Sequence, residues 1–273
     1  MAASTLKRLP TTMDNPFPEF PIFSPSYKRA GRVTTHLIVP RVVYVVAENE
    51  ADEYRKQSGV NVWAVPNTAQ GSVCRIRNYI LNNCGSKQLM ILDDDIKKIG
   101  FHHDKDRFHT TLTPEQIDWQ FGNAMQMAID GDIRFWGIQI LPDRKAYRSY
   151  SPINLTACIL GPVQGFNNLD LRYDEKLPLK EDYDLSLQVL NKYRRVLRIN
   201  FLFYDAMQNE MTGGCSTYRN MEREKDQLKA LQMKWGSKIV RQDHGNAAKA
   251  NKNSKKKTLH DINPIIKFPI PGM

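Results

Sequence analysis

Asp93, Asp94 and Asp95 follow directly on the apolar run at residues 89–92, so a buried strand is expected to end in three adjacent carboxylates. Like charges side by side repel, and a fold tolerates them when a cation or solvent neutralises them. Hard divalent cations such as Mg²⁺ and Mn²⁺ take carboxylate oxygens and share their coordination with substrate phosphates. Metal-assisted chemistry on a phosphorylated substrate is therefore one reading of the triplet. A solvated acidic turn is the other, and the position behind a short hydrophobic strand favours the first.

The elements that must carry this cluster alternate between strand and helix. Residues 21–24 enter a strand that breaks into the polar stretch Ser24, Pro25, Ser26, Tyr27, Lys28 and Arg29. Residues 42–46 are a β-branched run with the character of a strand buried on both faces, and 48–57 are helix-compatible. A strand at 60–65 and a helix at 71–83 come next, the helix with Val73, Ile76, Ile80 and Leu81 at helical spacing. This alternation implies βαβ units in a mainly parallel α/β sheet of Rossmann type flanked by helices. Ligands bind beyond the carboxyl ends of such strands, where residues 24–29, Glu48 and the aspartates all fall. The second half is less regular. Thr113-Pro-Glu-Gln opens a helix over 113–130 with a capping box. Strands are expected at 135–141, 155–160 and 198–204, helices at 184–193 and 222–235, a connecting loop at 145–151, and a loop at 101–112 that covers the bound donor.

Composition narrows the class. With 273 residues, 41% hydrophobic and 10% aromatic, the chain can build a sizeable core. No run approaches the ~18–20 apolar residues that cross a bilayer, and residues 1–20, rich in Pro, Thr and Asn, read as an irregular arm without a signal-type apolar stretch. A cytoplasmic location with no membrane partner is the default expectation. Cys74, Cys84, Cys158 and Cys215 are scattered without a CxxC pair, so neither a zinc site nor a disulfide framework is suggested. The net charge of +10 and the pI near 9.4 point to a polyanionic partner or a phosphate-bearing substrate. Lys249, Lys252, Lys255, Lys256 and Lys257 concentrate charge near the C-terminus, either as a solvated segment or as a nucleic-acid contact.

Four stretches occur in a fixed order: Ser-Pro-Ser-Tyr-Lys-Arg (24–29), Val-Val-Ala-Glu (45–48), Ile-Leu-Asp-Asp-Asp-Ile (91–96) and Lys-Glu-Asp-Tyr-Asp-Leu (180–185). Together they resemble the GT-A class of nucleotide-sugar glycosyltransferases. The resemblance implies a transferase domain over 21–245, with a nucleotide-sugar-binding half at 21–112 and an acceptor-side half at 113–245, followed by a basic tail at 246–273. It implies a UDP-linked sugar donor held by Ser24, Ser26, Tyr27, Arg29 and Glu48. Asp93 would approach the ribose, Asp94 would support it, and Asp95, with Asp93, would hold a divalent metal. His244, beside Gly245, is the expected third metal ligand. Arg75 and Arg77 are candidates to grip phosphate or base, because guanidinium forks match phosphate oxygens; an exposed helix face is the other reading for either one. Glu181 and Asp182 resemble the acidic pair beside the acceptor. Inverting and retaining enzymes share this architecture, and an inverting one needs a carboxylate to take the acceptor hydroxyl's proton, a role that falls on Asp182. Favourable placement of acids at a helix start explains the same residues otherwise.

Within that class, Val-Val-Ala-Glu, Arg75-Ile-Arg-Asn78, the aspartate triplet and Gly213-Gly214 resemble the TET/JBP-associated glycosyltransferases of bacteriophages. That resemblance implies a 5-hydroxymethylpyrimidine in DNA as acceptor, 5-hydroxymethylcytosine above all, with Lys252, Lys255, Lys256 and Lys257 on its phosphates. A host-cell cytoplasmic setting goes with it. Tyr147, Tyr150 and Phe166 are candidate base-stacking residues. The rival readings are a GT-A enzyme with a glycan, lipid-linked or protein acceptor, and a non-catalytic nucleic-acid-binding protein on a degenerate transferase fold.

Overall fold

The computed structural model describes residues 16–103, 109–140, 147–207, 214, 219–242 and 262–267. Four strands, β1 (Ile22–Pro25), β2 (Val43–Ala47), β3 (Asn61–Val65) and β4 (Gln88–Leu92), pair in parallel in the order β3-β2-β1-β4. Helices α1 (Ala51–Arg55) and α2 (Val73–Asn83) connect them. The second half adds β5 (Ile96–His102), β6 (His109–Thr111), α3 (Pro114–Asp130), β7 (Phe135–Ile140), β8 (Ile153–Asn154), β9 (Val163–Asn167), α4 (Glu181–Tyr193), β10 (Leu197–Ala206) and α5 (Met221–Trp235). All ten strands form one sheet in the order β3-β2-β1-β4-β9-β7-β10-β5-β6, with β8 on β10. β5, β8 and β9 run against the others, so the α/β sheet is mainly parallel in direction, with its antiparallel pairs in the second half.

The apolar runs follow from burial on both faces. In β2, Tyr44 and Val46 face a core that includes Phe121 and Met125 of α3, while Val45 faces a second core with Ile76 and Ile80 of α2 and Leu185 and Val189 of α4. β4 divides likewise, Met90 and Leu92 to the first core and Leu89 and Ile91 to the second. Local signals set the helix starts. Ser72 accepts from the Arg75 amide at 3.2 Å, and Thr113 and Gln116 form the expected capping box.

Three expectations are corrected. Residues 101–102 and 109–111 are strand rather than loop: β5 and β6 form an antiparallel pair at the sheet edge, with Phe101 opposite Thr110, and 104–108 lie outside the described residues. Residues 155–160 form no strand; Ile159 is held instead by the Ser186 hydroxyl, which meets its backbone N–H at 2.9 Å. The strand here is β9, between β4 and β7. Phe166 lies on β9, 1% exposed in the core against Phe135, and offers no face for a base.

A third core joins Leu187 of α4 with Leu228 and Leu231 of α5, Val240 and Ile262. Val240 begins β11 (Val240–Gln242), which pairs antiparallel with β12 (Pro264–Ile266). Among the described residues, no helix is long and apolar enough to cross a membrane.

Candidate active site

β1, β2 and β4 bring their carboxyl ends to one edge of the sheet. Beyond β1, the Ser26 hydroxyl is hydrogen-bonded to Asp94 and lies 2.8 Å from the Tyr54 hydroxyl. The Arg29 guanidinium pairs with Asp94 and reaches Asp95 Oδ2 at 3.4 Å. Tyr27, half-buried, accepts the Gly214 amide at its carbonyl (2.9 Å). Gly214 has φ +55°, and a Cβ there would meet the Arg29 guanidinium at 3.2 Å, so this position favours glycine. Of the Gly213-Gly214 pair, Gly213 lies outside the described residues.

The backbone of the acidic run is anchored from several directions. The Asp93 N–H donates to the Pro162 carbonyl (3.0 Å), and the Asp93 carbonyl accepts from Thr35 Oγ1 (2.7 Å). The Asp94 carbonyl accepts the Thr34 N–H (2.9 Å) and the Asp95 carbonyl the Met207 N–H (3.0 Å). The carboxylates are thus held by a fixed main chain at the end of a strand buried from Leu89 to Leu92. Burial pushes Asp94 above the usual carboxylate range, against the lowering effect of Arg29. Asp95 is pushed up to about 7 by burial first, then by the charges of Asp93 and Asp94.

Arg77 ties this cluster to the second half of the chain. Its helix, α2, packs its apolar side on the sheet, and the guanidinium, only 2% exposed, donates to Asp93 (2.8 Å), Glu181 (3.1 Å) and the Gly161 carbonyl (3.2 Å). Glu181 and Asp182 open α4. The Asp182 carboxylate accepts the Tyr183 amide at 2.8 Å, as the helix-start reading expects. Its other oxygen reaches across to the Gly161 N–H at 3.1 Å. Asp184 faces elsewhere, toward Lys234 and the Trp235 indole N–H. Burial raises both acids of the pair, and for Glu181 the Asp182 charge adds to the rise while Arg77 opposes it. A carboxyl raised in this way holds a proton better, the property of a general base.

The structure therefore brings together Ser26, Arg29, Arg77, the three aspartates, Glu181 and Asp182. It leaves others apart. Ser24 is fully buried within β1, and its hydroxyl has no hydrogen-bond partner among the described residues. Glu48 is exposed at the end of β2. Arg75 is half exposed and pairs with Glu175 at 3.5 Å, on a different side of α2 from Arg77. Tyr147 stacks on His102 at 5.3 Å, and Tyr150 is exposed. His244, Cys215, Lys249, Lys252, Lys255, Lys256 and Lys257 lie outside the described residues. Residue reading missed Thr35, Tyr54 and Gly161, whose roles come from long-range contacts; the Gly161-Pro162 dipeptide was the one local hint of a backbone turn there.

A divalent cation suits this donor set. Among the described residues, no three His, Cys, Asp or Glu side chains converge as a protein cage. Mg²⁺ and Mn²⁺ sites need none, since one or two carboxylates with substrate phosphates and water complete them. Asp94 is held by both Ser26 and Arg29, whereas Asp93, a third exposed, gives one oxygen to Arg77 and Asp95 meets Arg29 only at 3.4 Å, which makes these two the candidate oxygen donors.

A family model described as TET-associated glycosyltransferase matches residues 20–214. Among proteins of curated function, none matches. Residues 1–349 of TarS from S. aureus are similar in structure, with 14% identity and a TM-score of 0.42; the match covers 68% of this chain and 60% of that one. The glucosyl-3-phosphoglycerate synthase of Mycobacterium tuberculosis, solved with Mg²⁺ and uridine diphosphate, is similar at 10% identity and a TM-score of 0.46, over 81% of this chain and 82% of that one.

Proposed function

Since the chain belongs to the TET-associated glycosyltransferase family and is thereby a glycosyltransferase, we propose that it moves a sugar from a UDP-type nucleotide-sugar donor to the hydroxymethyl oxygen of a 5-hydroxymethylpyrimidine in DNA, 5-hydroxymethylcytosine first. The observation that supports this most is Arg77, whose single guanidinium joins Asp93 on the donor-side strand to Glu181 beside the acceptor-side helix. The reaction needs those two halves within bonding reach of one another.

In this reading the acceptor oxygen attacks the anomeric carbon, the bond from that carbon to the diphosphate oxygen breaks, and the diphosphate leaves with the electron pair. Asp182 takes the acceptor's proton, its affinity for it raised by burial. Arg77 holds Glu181 and Asp93 in place through its fixed fork. Asp93 and Asp95 would hold a divalent metal, which stabilises the negative charge that develops on the leaving diphosphate. The fixed main chain around Asp93 to Asp95 keeps the donor end from reorganising during the step. The net charge of +10 supports a polyanionic acceptor, and Lys252, Lys255, Lys256 and Lys257 are proposed to contact its phosphates, in the cytoplasm of the host cell.

The test is incubation with a duplex that contains 5-hydroxymethylcytosine, a panel of nucleotide sugars and Mn²⁺, followed by digestion to nucleosides and mass analysis. A hexose or pentose adduct on the modified nucleoside is expected. Unmodified nucleosides across the whole panel would reject the acceptor.

A further inference from the structure

Beside the acidic pair, on the acceptor side of the sheet, lies a cavity of about 480 Å³ between β7, β8 and β10. Its volume is in the range of small-molecule pockets and ample for one nucleotide. Leu160 forms part of its wall, and the next residue is Gly161, whose N–H is bound to Asp182. One step of the chain, about 3.8 Å, thus separates the cavity wall from the residue that touches the proposed base.

The lining is built for a polar, anionic guest. Arg198 is half-buried on β10, its Nε donates to Asn200 at 2.9 Å, and among the described residues no carboxylate pairs with it. A guanidinium removed from water without a counter-charge is costly, so its fork is available to an anion that enters the cavity. Gln139, 8% exposed, brings a side-chain amide to the wall. Asn154 adds another amide to the wall. At the rim Tyr150 is 83% exposed, an aromatic ring without packing to explain it.

We propose that this cavity receives the acceptor nucleotide turned out of the DNA stack, with Arg198 on its phosphate, Gln139 and Asn154 on the polar edge of its base, and Tyr150 against the neighbouring base left behind. The inference rests on the DNA-acceptor reading above and adds the route by which the hydroxymethyl group arrives. The hydroxymethyl group of a stacked base stays in the major groove, whereas an extruded base can carry it into the cavity. The amides match a pyrimidine edge, and the stacking ring compensates part of the unstacking.

The experiment uses the full chain and a duplex with 5-hydroxymethylcytosine beside 2-aminopurine. Binding of the wild type is expected to raise 2-aminopurine fluorescence several-fold as the stack opens. Arg198→Met is expected to raise the acceptor KM about tenfold or more, as befits loss of a charge-assisted contact. Tyr150→Ala, at a site too exposed to affect folding, is expected to reduce the fluorescence gain and to raise the acceptor KM. A wild type that transfers sugar to this DNA with silent 2-aminopurine, or with acceptor KM values within twofold in both variants, overturns the cavity assignment alone. A wild type that transfers no sugar to any hydroxymethylated DNA overturns the acceptor reading and the assignment with it.

Discussion

Arg77→Met separates structural anchoring from charge, because methionine keeps the stem and removes the fork. The guanidinium is 2% exposed and serves Asp93, Glu181 and the Gly161 carbonyl. Asp93, a third exposed, can regain water, so its share of the loss is small. Glu181, 12% exposed, and the Gly161 carbonyl cannot. Removing one partner of such a buried pair costs about 3–5 kcal/mol. At about 3 kcal/mol per M of urea, the unfolding midpoint should fall by about 1–1.7 M. The loss should also depend on pH. Glu181 is already raised above its usual 4.5 by burial and by Asp182, and Arg77 is what holds it down. Without Arg77 it rises further. A carboxyl with a raised folded-state pKa favours the folded state while it is protonated, and this advantage fades as pH climbs through the folded value. The variant can keep its proton at low pH but must carry a bare buried charge at high pH. Urea unfolding followed by tryptophan fluorescence should show a clearly smaller deficit at pH 5.5 than at pH 8.5. An equal deficit at both, or a shift below about 0.3 M at pH 8.5, would refute the coupling of Arg77 to Glu181.

Asp95→Ala should abolish metal-dependent turnover of the donor, whereas Asp182→Ala should spare donor binding and reduce transfer by a factor of 10² or more; equal loss of donor affinity by calorimetry in both would merge the two roles. Gly165→Ala places a Cβ 2.0 Å from the buried Trp136 ring, so the tryptophan must shift and the melting temperature should drop by an amount equivalent to about 1–3 kcal/mol. A melting temperature equal to the wild type's would mean that the Trp136 and Gly165 packing is looser than described.

Much of the first half, and the start of α3, was legible because the signals are local. The apolar runs of β2 and β4, buried on both faces, and the capping box at Thr113 and Gln116 each announce an element within a few residues. The aspartates were legible as a cluster for the same reason. β9 was not. Val163-Gln-Gly-Phe-Asn167 neither alternates nor forms an apolar run, because Gly165 makes room for Trp136 and Gln164 accepts from Tyr173 inside the core. Residues 155–160 gave the opposite error: Ala157 and Ile159 are buried by neighbours without any ladder to pair with, and Leu155 is exposed. The helix 71–83 was visible, but that Arg77 rather than Arg75 turns inward depends on Asp93, Gly161 and Glu181, at sequence distances of 16, 84 and 104 residues. No window of the chain contains that information.

β9 also governs how the protein can move. It hydrogen-bonds to β4 on one side and β7 on the other, with Leu92 opposite Val163 and Gly137 opposite Gln164. The strands on either side of it are consequently stitched into one continuous ladder, so a hinge between them would have to unzip a buried strand. Closure by rigid lobes across this line would break that ladder, and the continuous pairing opposes it.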